Sequence, residues 1–134
     1  MRETKYRAWS KKSNRMFSVI ELRFVAEEVT LNPILSEVRI NDQYDTFQDF
    51  NDVELMQFTG FKDKKGVEIF DGDILSDWNE IDGKQVQSKM QVFWCDITGA
   101  WRLDSSFKQN KSNSDLLSDE LANFTYEITG NVYS

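Results

Sequence analysis

Apolar and polar residues alternate along the first part of the chain, a pattern typical of half-buried antiparallel strands. Tyr6–Trp9 and Met16–Phe24 show this alternation on either side of the polar segment Ser10–Arg15, which predicts a β-hairpin. A third strand is predicted over Glu28–Leu31, ended by Asn32-Pro33. In the second strand, the apolar residues expected on one buried face are Met16, Ile20, Leu22 and Phe24.

Turn signals built from aspartate and glycine divide the middle of the chain into further short strands. The segment Asp63-Lys64-Lys65-Gly66 places Asp first and Gly fourth in a type I turn, where Asp can bind backbone N–H groups and Gly can adopt a positive φ. The pairs Asp71-Gly72 and Asp82-Gly83 predict sharp reversals, and Asp96–Gly99 repeats the four-residue pattern. Several short strands joined by such turns indicate a small β-barrel or a β-sandwich.

The last part of the chain predicts one helix followed by a closing strand. A helix is predicted over Ser114–Phe124, with Ser114 as its N-cap because serine is favoured at that position. Tyr126–Tyr133 is predicted to form the last strand, at the edge of a sheet, and the acidic Asn41–Asp52 is predicted to be a loop or a short helix. The apolar face of the helix is predicted from helical spacing to contain Leu117, Leu121 and Phe124.

The composition indicates a packed protein without histidine chemistry. The 134 residues are 40% hydrophobic and 13% aromatic, enough for the core of one domain or of one domain with a small appendage. Cys95 is the single cysteine and the first ten residues contain no apolar run, which predicts a soluble cytoplasmic protein. Because the chain has no histidine, zinc fingers and histidine-activated nucleophiles are excluded, and no cofactor is predicted.

Charge is distributed unevenly along the chain. The net charge is −7, yet residues 1–15 alone carry +5. The acidic remainder disfavours extended non-specific binding to nucleic acid. The basic hairpin can contact single-stranded nucleic acid through its aromatic and basic side chains, or it can neutralise its acidic neighbours. We expect it to neutralise its acidic neighbours. Its candidate interaction residues are Arg7, Trp9, Lys11 and Lys12, although strand alternation can equally place Trp9 in the core.

Four carboxylates of the central segment are the best candidates for acid–base or Mg²⁺ chemistry. Paired carboxylates can divide acid and base roles or share a hard cation. The competing interpretation, which we favour, is that they organise turns and strand starts. The nearby glycines lack the spacing of a phosphate-binding loop. The four carboxylates are Asp63, Glu68, Asp71 and Asp73.

Three tryptophans are candidates either for an aromatic ligand groove or for the core. Small barrels need large residues to fill their interiors, so we expect Trp94 and Trp101 to be buried. Trp78 lies between Asp77 and Asn79 and is expected to be exposed, which makes it a further candidate interaction residue.

The segment Met56–Leu75 resembles the signature of the YopX family, small proteins encoded mainly by bacteriophages and prophages. Lys5–Trp9 resembles the opening strand of that family, Met90–Leu103 its strand, glycine turn and strand, and Ile128–Tyr133 its closing strand. The resemblance therefore covers nearly the whole chain. Ser10 departs from it, because an Asp usually follows the tryptophan in the family.

The resemblance implies a mainly β fold with minor α content. It implies an SH3-like small barrel from about Asp52 to Asp104, an N-terminal mixed β/α extension and one short C-terminal helix. We accordingly divide the chain into an N-terminal region, residues 1–51, and a barrel region with helix and closing strand, residues 52–134. The family motif is interpreted as architectural at Gly60, Asp63, Gly66, Gly72 and Asp73.

The resemblance implies no known reaction, so function is a hypothesis. The leading one is a non-catalytic, phage- or prophage-derived accessory protein that binds an unknown phage or host macromolecule in the bacterial cytoplasm and forms a homo-oligomer. The alternatives are nucleic-acid binding through the basic hairpin, imitation of DNA by the acidic surface, and a Mg²⁺-dependent enzyme using Asp71 and Asp73. No membrane association is predicted.

Overall fold

The computed structural model of the chain describes residues 5–26, 33–44, 46–110 and 114–133. They form eleven strands, one 3-10 helix at Phe50–Asp52 and one α-helix, α1, at Leu117–Asn123. The mainly β class is confirmed. The strands are β1 Tyr6–Ser10, β2 Arg15–Ala26, β3 Pro33–Ile40, β4 Phe47–Asp49, β5 Val53–Lys62, β6 Glu68–Phe70, β7 Asp73–Ile81, β8 Lys84–Cys95, β9 Ala100–Asp104, β10 Asp115–Leu116 and β11 Glu127–Asn131.

The strands form two antiparallel sheets, with the orders β4-β3-β2-β1-β5-β6 and β10-β9-β8-β7-β11. Neither order closes on itself over the described residues, so a closed barrel is not observed and the SH3-like detail is not confirmed. The chain divides into two compact units, one ending at Gln57 and one continuing from Phe58. This boundary lies inside β5, whose first residues pair with β1 and whose last residues pair with β6.

The N-terminal unit is built on the predicted hairpin of β1 and β2, which is confirmed. The buried face predicted for β2 is wrong at Ile20 and Phe24, whose side chains are 47% and 54% exposed. Register shifts after Val19 and after Arg23 interrupt the alternation, as β-bulges do, so apolar positions two residues apart no longer share a face. The β2 residues that do pack against the buried core of this unit are Phe17, Val19 and Leu22.

Strand β3 begins at the proline that was predicted to end a strand. The predicted strand Glu28–Leu31 lies outside the described residues, and Pro33 is the first residue of β3. Proline is tolerated there because the first residue of a strand can do without its N–H. Val38 and Ile40 of β3 are fully buried, and together with Ala8 and Val53 they form the core of the unit.

The C-terminal unit follows the predicted turns closely. Asp82 and Gly83 both have positive φ, 52° and 76°, as the tight turn between β7 and β8 requires. The closing strand β11 pairs with β7, as predicted for a sheet edge. The core of this unit consists of Ile69, Leu75, Val92, Trp101, Leu103, Leu117 and Tyr126.

The helix is shorter than predicted and begins later. Leu116 occupies its N-cap and makes no side-chain capping bond, so the predicted cap at Ser114 is wrong. Ser114 instead accepts a hydrogen bond from Arg102 Nε at 2.7 Å. Leu117 is fully buried and packs with Leu121, as predicted, but the side chain of Phe124 beyond the last helical residue is 55% exposed.

Candidate interaction surfaces

The turn at the centre of the family motif is held by one carboxylate. Asp63 Oδ1 accepts hydrogen bonds from the backbone N–H groups of Lys65 and Val67, both at 2.9 Å. Asp63 Oδ2 accepts a third from the N–H of Ile128 at 3.0 Å, which ties the turn to β11. Burial alone would raise the pKa of Asp63, but these N–H groups outweigh it and lower that pKa below its usual range.

The second acidic turn of the motif uses its carboxylate in the same way. Asp73 is buried, and its Oδ2 accepts a hydrogen bond from the N–H of Phe70 at 2.8 Å. Gly72 between them has a φ of 85° and donates its N–H to Val92 O. These contacts favour the architectural interpretation of Asp63 and Asp73. Over the described part of the chain, no group of three or more acidic or cysteine side chains is placed to hold a metal ion.

Replacing Gly66 by alanine should lower the free energy of unfolding by about 1 kcal/mol, because this residue has a φ of 81°, where a Cβ is disfavoured. The space around Gly66 is open, so crowding adds nothing to that cost. Urea denaturation measures the change. Gly66→Asn should recover part of it, since asparagine tolerates the left-handed region, and equal losses in the two variants would contradict this explanation.

Two lysines of the basic hairpin have acidic partners within their own unit. Lys11 Nζ lies 3.2 Å from Glu54 Oε1, and Lys12 Nζ lies 3.2 Å from Asp52 Oδ2. The guanidinium of Arg15 lies over the ring of Phe17, 5.6 Å from its centre. These ion pairs favour the interpretation in which the hairpin offsets acidic neighbours, and they weigh against a phosphate-binding role.

The other two candidates on the hairpin lie in β1 and are partly covered. Arg7 and Trp9 are both half-buried. Ser10, at the family's usual Asp position, is fully buried and donates its hydroxyl to Gln48 Oε1 at 3.0 Å. Ser10 Oγ also accepts a hydrogen bond from the N–H of Ser13 at 3.4 Å, so its side chain organises the start of the hairpin loop.

Two tryptophans of the C-terminal unit are exposed and one is buried. Trp78 is 41% exposed as predicted, with Lys64 Nζ 5.6 Å from the centre of its ring. Trp101 is buried as predicted, but Trp94 is 45% exposed, so its predicted core position is wrong. The rings of Trp94 and Trp101 pack edge to face with their centroids 5.2 Å apart, so the exposed Trp94 covers the buried Trp101. Beside them lies a groove of about 230 Å³ that Phe61 also lines.

The hairpin of β7 and β8 extends beyond the strands that flank it, and we call its outer part, residues 77–90, the ribbon. β11 pairs with β7 only as far as Ser76, and β9 pairs with β8 only from Gln91 onward. No described strand pairs with either outer edge of the ribbon. The Asp82-Gly83 signal predicted the hairpin, but nothing in the sequence indicated that it outreaches its neighbours. Its exposed apolar side chains are Trp78, Ile81 and Val86.

Comparison with known proteins decides the family. Residues 5–134 match the YopX protein family. The chain is a member of the YopX family. Within this YopX-family chain, the motif first seen at Met56–Leu75 supplies two tight turns of the C-terminal unit, those held by Asp63 and Asp73.

The fold is shared with a solved protein, EF1440 from Enterococcus faecalis, known from its crystal structure. The two chains superpose with a TM-score of 0.60 at 22% identity, over 99% of this YopX-family chain and 95% of the other. At that identity the likeness shows the fold alone. No curated protein matches the chain. The described helix is too short and too polar to cross a membrane.

Proposed function

We propose that this YopX-family protein is a non-catalytic binding module, encoded by a phage or prophage, that recognises another macromolecule in the bacterial cytoplasm and works as a homo-oligomer. The observation that carries the proposal is the ribbon. It offers unpaired strand edges together with exposed apolar side chains, both of which are features of a surface that receives a partner.

Physical considerations support a partner at the ribbon. A two-stranded ribbon without a third strand is at best marginally stable in water. The ribbon also exposes Ile81 and Val86 at 54% and 41%. A partner that paired with an edge and covered these side chains would satisfy the backbone groups and remove the apolar surface from water. The motif carboxylates do not compete with this interpretation, because Asp63 and Asp73 are engaged by backbone N–H groups.

Affinity capture from lysogenic cells tests the proposal. The double variant Ile81→Thr/Val86→Thr keeps β-branched residues on the ribbon but removes apolar surface, and we expect it to lose the captured macromolecule. The matched control Ile97→Thr/Val132→Thr changes an isoleucine and a valine that are also exposed but lie outside the ribbon, and it should retain the macromolecule. All of these side chains are exposed, so both variants should stay within about 0.5 kcal/mol of the parent in unfolding free energy. A capture that returns no reproducible partner, or one that both variants lose equally, would overturn the proposal.

Light scattering tests the oligomer separately. We expect a mass above that of the 15.7 kDa chain at micromolar concentration. A monomer at every concentration would remove the homo-oligomer from the proposal and leave the binding role to the capture experiment.

A further inference from the structure

The outer edge of β8 is open along the ribbon, from Lys84 to Met90. β9 lies on this side of β8 but pairs with it only from Gln91 onward, so no described strand bonds to the outward backbone groups of Lys84–Met90. Val86 in the middle of this edge is 41% exposed. The open edge has about the length of a typical strand, so it can receive one.

The sequence of this edge is self-complementary. Gln85-Val86-Gln87 reads the same in both directions. When two such edges pair antiparallel with Val86 opposite Val86, each Gln85 lies opposite a Gln87. Amide side chains both donate and accept hydrogen bonds, so glutamine can pair with glutamine, and opposed valines form an apolar cross-strand pair. A two-fold symmetric contact requires such a surface, because the same patch is presented by both copies.

The end of β9 limits how far two edges can overlap. Alignment on Val86 places the Asp82-Gly83 turn of one copy beside Lys89 and Met90 of the other, the last positions before β9 begins to pair. Alignment one residue further along β8 would move that turn two positions on, into the space that β9 occupies. Alignment in the opposite direction would shorten the paired segment. The register centred on Val86 is therefore the longest that the open edge accepts.

Opposite charges meet in the same register. Within the ribbon Asp77 lies opposite Ser88, and alignment on Val86 places Lys84 of the second copy on the other side of that serine. Directly opposed residues of antiparallel strands share a face, so the three side chains point the same way. Lys84 and Asp77 are then two strands, roughly 10 Å, apart, which a flexible lysine side chain can close over the small serine. Neither has an ion-pair partner among the residues that the structure describes.

We infer that two copies of this chain pair through the Lys84–Met90 edges of their ribbons, as a two-fold dimer with one continuous antiparallel sheet across the contact. This inference rests on the homo-oligomer of the proposed function and assigns a surface to it. The dimer brings together Val86 and its diagonal neighbour Ile81 from both copies, so exposed apolar side chains contact one another.

The edge of β7 stays open in this dimer and remains available to the macromolecule of the proposed function. Asp77–Ile81 contains two carboxylates and no basic residue. Pairing of this edge with its counterpart in a second copy would gather four carboxylates without a cation, which is unfavourable. The two edges of the ribbon thus differ in what they can receive.

Disulfide cross-linking of the full-length chain tests the register. Val86→Cys should give a covalent dimer on mild oxidation, because opposed residues of antiparallel strands have Cα atoms about 4.5 to 5.5 Å apart, a distance that a disulfide bridges. Two controls should not cross-link. Lys89→Cys lies on the same edge but roughly 20 Å from its counterpart, and Val132→Cys replaces an exposed valine outside the ribbon. The native Cys95 is buried. Non-reducing electrophoresis measures the linked fraction.

Complementary charge variants test the contact between copies. Lys84→Asp and Asp77→Lys should each raise the dissociation constant of the dimer about tenfold, because each sets like charges on the two sides of Ser88. An equimolar mixture of the two variants should recover the affinity of the parent, since every contact is then between opposite charges. A mixture of Asp77→Lys with Lys108→Asp, which changes an exposed lysine outside the ribbon, should not recover it. Sedimentation measures the dissociation constants, and mixtures that behave alike would contradict the inferred contact.

Val86→Lys separates the inference from the proposed function. It sets two lysines directly opposite each other at an exposed position, so it should halve the mass measured by light scattering without unfolding the chain. If Val86→Lys keeps the mass of the parent, or if Val86→Cys cross-links no better than its controls, the homo-oligomer forms through another surface and the inference is overturned. A parent that is a monomer at every concentration overturns the inference and removes the homo-oligomer, while the capture experiment still decides the binding role.

Discussion

Asp63→Ala should lower the free energy of unfolding by about 3 kcal/mol, because three backbone N–H groups lose their acceptor at once. Asp63 is 7% exposed, so water replaces the carboxylate poorly. The bond to Ile128 carries much of the effect, since it joins the turn after β5 to β11 across 65 residues of sequence. Urea denaturation followed by tryptophan fluorescence measures the loss.

Two comparisons sharpen this test. Asp63→Asn retains one side-chain acceptor and should lose about half as much stability as Asp63→Ala. Lys64→Ala in the same turn changes an exposed side chain and should cost about 0.5 kcal/mol or less. If Asp63→Ala is no less stable than Lys64→Ala, the carboxylate does not hold the turn.

Asp104→Ala should lower the free energy of unfolding by about 2 kcal/mol. The Asp104 carboxylate accepts hydrogen bonds from the N–H groups of Ser106, Lys108 and Asn110, at 2.9 to 3.1 Å, and from the Ser106 hydroxyl. It thereby holds a loop in which Phe107 has a φ of 60°. The loop is exposed, so its freed N–H groups can bind water. The free energy of unfolding should therefore fall less than in Asp63→Ala.

The contribution of Asp104 should depend on pH with a defined sign. Burial would raise the pKa of Asp104, but its hydrogen-bond donors lower that pKa from 3.8 to about 2. A lowered pKa in the folded state stabilises the protein above pH 3.8, and this stabilisation is lost as the pH falls through about 2. The stability difference between the parent and Asp104→Asn should therefore be constant near neutral pH and shrink between pH 4 and pH 2. A difference that grows on acidification would contradict the assigned pKa shift.

The turns of this protein were predictable because their chemistry is local. An aspartate that accepts N–H groups two and four residues ahead, followed by a glycine at positive φ, is encoded within five positions, as at Asp63. The sequence could not show that the second oxygen of the same carboxylate binds Ile128. The loop of Asp104 has a comparable local signal, an aspartate two residues before Ser106, which the sequence interpretation passed over.

The errors come from features that depend on distant neighbours. The predicted face of β2 was wrong at Ile20 because β-bulges depend on pairing with β3. Trp94 was expected to fill the interior of a barrel, but the sheet order does not close into one over the described residues. The unpaired edges of the ribbon also depend on residues that are distant in the sequence. Its two strands were foreseeable from Asp82-Gly83, but its unpaired edges follow from where β9 and β11 end. The candidate surface was therefore predicted only at Trp78, while Ile81 and Val86 were not among the residues singled out from the sequence.

The position of β11 in the sheet also constrains how the protein is made. Strand β11 pairs with residues of β7 that come more than fifty positions earlier in the sequence. Asp63 therefore gains its third hydrogen-bond donor only when Ile128 is in place. During synthesis the β5–β6 turn and the β7–β8 hairpin can form as soon as they leave the ribosome, since their contacts are local. Until residues 127–131 emerge, the whole length of β7 presents an open edge, and the nascent chain is at its most vulnerable to pairing with another polypeptide.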